Sequence, residues 1–127
     1  MIPAQYASQI FSITRVVFGF LYLVHGLQKL FGMFGGEVAQ LNTLRGAAGI
    51  IETVGGVLIM LGLFTRPVAF ITSGEMASAY FLNHQPRATW PVNNGGELAA
   101  LFCFFFLYLC SRGPGPWSLD ALLRRKS

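Results

Sequence analysis

Apolar residues run along the chain in four long stretches, each ended by a polar or glycine- and proline-bearing break. The stretches cover about residues 7–31, 47–63, 67–82 and 97–111. A helix needs about 20 residues to cross an apolar slab of about 30 Å, so each stretch is read as a span, the last of them short. The first break, GMFGGEVAQLNTLRG, is expected to carry a short interfacial turn of helix over residues 37–44. Thr65-Arg66-Pro67 predicts a tight turn with Pro67 at the first position of the third span, where its missing N–H costs nothing. NHQPRATWPVNNGG is a polar loop, and GPGP at residues 113–116 stops the fourth span, since proline cannot continue a helix. Ser118 is placed to cap a last short helix in SLDALLRRKS, as serine at an N-cap does. Leu119, Leu122 and Leu123 would lie in a membrane interface, with Arg124, Arg125 and Lys126 reaching headgroups. The predicted fold is all-α: an integral membrane four-helix bundle with a short C-terminal interfacial helix, one domain over residues 1–127.

Polar residues inside the first stretch change the picture. Arg15, Phe18, Tyr22, His25 and Lys29 follow steps of three and four, so they share one helix face. Of the five acids, Glu52, Glu75 and Glu97 fall one in each later stretch. Ionisable groups inside a span are costly and mark function by default. Counting a rise of 1.5 Å per residue puts His25 and Glu52 at one level, roughly 8–9 Å below one end of the bundle. The same count pairs Arg15 with Glu75 and Lys29 with Glu97. Glu52 also lies beside Gly49, Gly55 and Gly56, a face that lets another backbone approach closely.

Composition supports a membrane protein. The chain has 127 residues, 54% hydrophobic and only 11% charged, with a mean hydropathy of +0.55. Soluble domains carry about a quarter charged residues. The net charge of +4 is spread along the chain and at stretch ends, which points to anionic lipid headgroups and away from nucleic acid. Arg66, Arg112, Arg124, Arg125 and Lys126 fall on the side of the termini, against Lys29, Arg45 and Arg87 on the other. Both termini are therefore expected to be cytoplasmic, with Trp90 and Trp117 as aromatic anchors at opposite interfaces. The N-terminus, MIPAQYASQ, lacks the basic start of a signal peptide. Cys103 and Cys110 are seven residues apart, roughly 10 Å along a helix, too far for a disulfide within it. They read as lipid-facing or core thiols. His25, His84, Glu52 and Glu97 are metal-ligand types, but no two stand at ligand spacing on one helix, so no metal is expected. GLQKLFG lacks the GK[ST] ending of a phosphate loop.

The motifs resemble the DoxX family of small four-helix membrane proteins, grouped with DoxD and MauE-like proteins. They are Arg15 with HGLQKLFG, Glu52-Thr-Val-Gly-Gly with LGLFTRP, GEMASAYF, HQPRATWPVNNGGE and GPGPWSLDALL. The resemblance covers nearly the whole chain. It implies a bacterial inner-membrane protein, often labelled an oxidoreductase. DoxD is associated with a thiosulfate:quinone oxidoreductase, MauE-like relatives with disulfide formation in a partner enzyme, and a mycobacterial DoxX with a superoxide dismutase and a sulfurtransferase. Cys103 and Cys110 depart from a CxxC pair, which argues against direct thiol chemistry.

Three readings stay open at this stage. In the first, the chain is a membrane component of an oxidoreductase system, with a quinone or another small redox molecule in a polar cavity. His25 and Glu52 would be the catalytic proton carriers, and Arg15, Tyr22, Lys29, Glu75 and Glu97 would bind the ligand. In the second, it is a non-catalytic scaffold or assembly factor whose charges lock the bundle. In the third, it is a small transporter or proton pathway. The partners these readings allow are the lipid bilayer, a soluble redox protein and a second copy of the chain.

Overall fold

The computed structural model describes residues 2–126, with side chains through residue 124. It is all-helical among those residues. The elements are α1 (Ala7–Phe31), α2 (Leu44–Leu61), α3 (Thr65–Ala79), α4 (Pro91–Asn94), α5 (Glu97–Arg112) and α6 (Leu119–Lys126). The four long helices run up and down. The Gly62–Phe64 turn and the end of α5 lie near the start of α1; the two longer loops lie at the opposite end, here called the loop end. α1 and α2 are long and apolar enough to cross a membrane.

α1 occupies the expected residues, stopped by Gly32 in a left-handed conformation. α2 starts three residues earlier than expected, because Thr43 caps it by accepting from the Gly46 N–H. The expected helical turn over residues 37–44 is irregular, and a short turn of helix forms at Met33–Gly35 instead. The tight turn also shifts. It is made by Gly62 and Phe64, both at positive φ, so Pro67 is the third helical residue of α3. It stays within the first turn, where a missing N–H is still harmless. α3 continues as a π-helical turn over Tyr80–His84. Pro86 lies just beyond, and its lack of a backbone donor stops regular α-helical bonding there. Ser118 caps α6 by accepting from the Ala121 N–H, as expected. The headgroup contacts expected of Arg125 and Lys126 lie outside the described residues.

α1 packs chiefly on α2, and α3 on α5; the α2–α3 and α1–α5 contacts are slighter. Glycines set the first pairing. A Cβ on Gly26 would stand 2.5 Å from the Thr53 nitrogen, and one on Gly56 would stand 2.8 Å from the Leu23 Cα. Backbones this close gain dispersion contacts that side chains would block. α1 meets α5 through rings: Phe18 stacks on Phe105 at 4.1 Å and meets Phe102 edge-on at 5.7 Å. Tyr22, Phe102 and Phe106 form the fully buried centre.

Polarity is distributed opposite to that of a water-soluble domain. Ser12, Arg15, Glu52, Thr72, Ser73 and Asn94 are buried, while Phe20, Phe70, Leu101 and Phe104 stand outward, 50–70% exposed. An apolar surface this continuous marks a body that meets something other than water.

Candidate functional site

Arg15 is 1% exposed, and its partners are backbone carbonyls. Its Nε donates to Ile59 O at 2.9 Å, Nη2 to Met60 O at 3.3 Å and Trp117 O at 2.7 Å, and Nη1 to Pro114 O. Ile59 and Met60 belong to the last turn of α2, where the Ile59 carbonyl also accepts from the Gly62 N–H at 3.1 Å and the helix dipole favours a cation. The expected pair with Glu75 is therefore not formed. Depth along a helix left open which neighbour Arg15 meets, and a planar fork of five donors suits clustered carbonyls. Around it, Ser12 Oγ accepts from the Trp117 N–H at 3.3 Å. A Cβ on Gly62 would collide with Ser118, so only glycine fits under this closure. Arg66 does for α5 what Arg15 does for α2, donating to Cys110 O at 2.9 Å and Ser111 O at 2.6 Å.

Asp120 completes this end. Its carboxylate accepts from the Phe64 and Thr65 N–H groups, each at 2.9 Å, and its own N–H donates to Gly62 O at 2.9 Å. It thereby holds Phe64 in the left-handed region that non-glycine residues avoid. Partial burial pushes the Asp120 carboxyl up; the N–H donors of Thr65 and Phe64, with Arg124, outweigh it and hold the group below the ordinary range. Asp120→Ala is expected to cost about 1–2 kcal/mol, as loss of a helix cap does. The sign with pH follows from the depressed value. The stabilisation is complete above the unfolded-chain value of about 4 and is lost as pH falls through the folded one. Melting curves in detergent at pH 7 and pH 3 should show the variant's deficit shrinking in acid; a deficit constant with pH would refute the carboxylate's role.

The second polar cluster sits towards the loop end. Lys29 Nζ donates to Glu52 Oε2 at 2.5 Å, with Glu52 1% exposed and Lys29 23%. The expected pairs His25 with Glu52 and Lys29 with Glu97 are thus replaced by Lys29 with Glu52. His25 meets Phe102 edge-on, ring centres 6.3 Å apart. Glu97 is exposed in the first turn of α5, where its charge suits the helix N-terminus. Glu75 lies within electrostatic reach of Glu52, Lys29 and Tyr22. Both its carboxyl oxygens are buried without a partner of good hydrogen-bond geometry, as is the Tyr22 hydroxyl.

Beside this cluster a cavity of about 530 Å³ opens between α2 and α3, lined by Lys29, Arg45, Glu75, Ser78, Asn83 and Arg87 among others. A space of this size suits a small organic ligand. Of the residues expected to form a site, Tyr22, Lys29, Glu52 and Glu75 come together; Arg15, His25 and Glu97 stand elsewhere. Arg45, Ser78, Asn83 and Arg87 were not anticipated. Ser78 follows Glu75 by three residues and could have been found on the same helix face. Asn83 arrives through the π-helical turn, which no pattern in the letters announces. Among the described residues no three His, Cys, Asp or Glu side chains form a metal-binding set.

Comparison with known proteins gives consistent relatives. The pattern that defines DoxX matches residues 10–85. An uncharacterized protein of Haemophilus influenzae is 40% identical over 123 residues, 91% of this chain and 92% of the relative. The inner membrane protein YqjF of Escherichia coli is 30% identical over 122 residues, covering 90% of this chain and 92% of its own length. A Bacillus subtilis protein named "Putative oxidoreductase CatD" is 37% identical over 62 residues, 45% of this chain and 46% of that one. No solved structure matches the chain at a significant level.

Proposed function

The chain belongs to the DoxX family, and from that premise we propose that it is an inner-membrane component of an oxidoreductase system, with a quinone or another small redox molecule held beside Glu75. The four long helices cross the bilayer as a bundle, both termini cytoplasmic and the loop end outside. The outward apolar surface and the excess of Lys and Arg at the termini support that placement. The relatives named as an inner membrane protein and an oxidoreductase support the assignment of place and system.

One observation carries the reading. Glu75 is a carboxyl whose two oxygens are buried with only the Tyr22 hydroxyl close by and no bond of good geometry, against a cavity bordered by three basic side chains. Burying such a group alone is expensive, and an orphan of this kind marks a place that something else completes. Reducing a quinone to a quinol takes two electrons and two protons. In this reading a soluble redox protein brings the electrons, Glu75 and Tyr22 hand on protons, and Arg45, Arg87 and Lys29 polarise the carbonyl. Glu52 is occupied in holding Lys29, so the proton work first assigned to His25 and Glu52 moves to Glu75. A scaffold is the competing reading, and the saturated bonding around Arg15 favours it for the other end of the molecule.

The test is mass spectrometry of small molecules that co-purify with the natively extracted protein. Wild type should hold a redox-active molecule, and Glu75→Gln should retain at least tenfold less while melting at an unchanged temperature. Equal retention by both, or a wild type that holds no such molecule, would overturn the reading.

A further inference from the structure

The cavity beside Glu75 does not end at its charged residues. Ile51 and Ile71 also line a second space of about 270 Å³, which continues between α2 and α3 past Val54, Gly55, Leu58 and Val68. Its one polar lining residue, Thr72, turns its hydroxyl to the Ala69 carbonyl at 3.1 Å. The Thr72 methyl faces Gly55, where an added Cβ would approach it to 2.7 Å. This second space is therefore apolar throughout. It runs roughly 10 Å along α2 from Ile51 to Leu58, at 1.5 Å per residue. It lies between α2 and α3, which touch less than the partners within each helix pair do, and Val54 and Ile71 on its rim are 55% and 57% exposed.

A chamber that joins Glu75 and three basic side chains to Ile51, Ile71 and Leu82, and then opens into an apolar groove, has the shape of an amphiphile. A small water-soluble ligand would fill the chamber and leave the groove uncovered. We infer that the molecule bound beside Glu75 carries a long apolar chain, which lies in the groove between α2 and α3 and enters sideways from the bilayer. This inference rests on the reading of Glu75 given above and names the class of ligand: a lipid-soluble redox molecule with its head towards the loop end and its tail running from the middle of α2 towards Leu58.

The probe is a benzoquinone with a ten-carbon chain ending in a diazirine, added to the full-length protein in neutral phospholipid vesicles. After irradiation, peptide mapping should find the label concentrated on Leu58, Val68 and their groove neighbours, and an excess of the unlabelled quinone should reduce it at least tenfold. Val54→Trp narrows the groove from an exposed position and should lower groove labelling by a similar factor. The wild-type pattern alone is decisive should that variant fold poorly. Label scattered over Phe20, Leu101 and Phe104, or label that excess quinone does not displace, overturns the inference. Retention of the quinone by Glu75→Gln separates the two claims. Groove labelling with full retention by Glu75→Gln keeps the tail and discards the head-group reading. Scattered label with retention lost in Glu75→Gln keeps the head group and discards the tail.

Discussion

Replacing Arg15 by methionine is expected to destabilise the protein by about 4 kcal/mol or more, the largest effect of any single substitution considered. Hydrogen bonds to a charged group contribute about 1.5–3 kcal/mol each, and each orphaned buried acceptor adds its own desolvation cost. Arg15 serves carbonyls of Ile59, Met60, Pro114 and Trp117, so its removal strands the end of α2 and the GPGPW segment together. The contributions do not add in full, because the segment relaxes. Lysine should restore only part of the loss, having three donors on a point charge where arginine has five in a fork. Thermal melts in detergent, with limited proteolysis of the C-terminal segment, report the result. An Arg15→Met protein that melts normally and instead loses a bound small molecule would return Arg15 to the ligand-binding role the sequence first suggested.

The second large effect concerns Lys29. Lys29→Met leaves Glu52, 1% exposed, as a buried charge without its cation, a change that costs about 3–5 kcal/mol. Glu52→Gln alone should also destabilise, because it leaves the Lys29 ammonium unpaired at the mouth of the cavity. The double variant Lys29→Met with Glu52→Gln should recover most of the loss, since neutralising both partners of a buried pair is often nearly neutral. A double-mutant cycle on melting free energies should give a coupling of about 3 kcal/mol, at the top of the range for groups in contact. Simple additivity would show that the pair contributes nothing as a pair. The same cycle, followed by retention of the co-purified molecule, asks whether Lys29 is needed for binding or only for folding.

These two residues also show what could be read from the letters. The stripe from Arg15 to Lys29 and the acids at Glu52 and Glu75 were visible, because period and polarity survive in sequence. Rise per residue set Glu75 level with Arg15 and Lys29 level with Glu97, whereas the structure gathers Lys29, Glu52 and Glu75. The rise did not give the angle around each helix axis, and that angle decided that Glu52 takes Lys29 and not His25. Arg15 was matched to an acid because only side chains are written in a sequence. Its true partners are main-chain oxygens, which every residue has and none advertises. GPGPWSLD was noticed as a stop signal and a cap; that its carbonyls would seat a guanidinium 99 residues away depends on the closure of the whole molecule. Glu97 opens α5 as the expected span did; it stands on the surface, away from Lys29, because Lys29 pairs with Glu52.

The seat of Arg15 also imposes an order of events during synthesis. Its Nη1 group waits for Pro114, made 99 residues later, which at about 5–20 residues per second means a delay of roughly 5–20 s. In that interval α2 can offer only Ile59 and Met60, so the first helical pair is a half-closed intermediate that carries a charge. A segment made 99 residues after Arg15 is then the one that closes its seat, so a late-made stretch fastens an early-made helix.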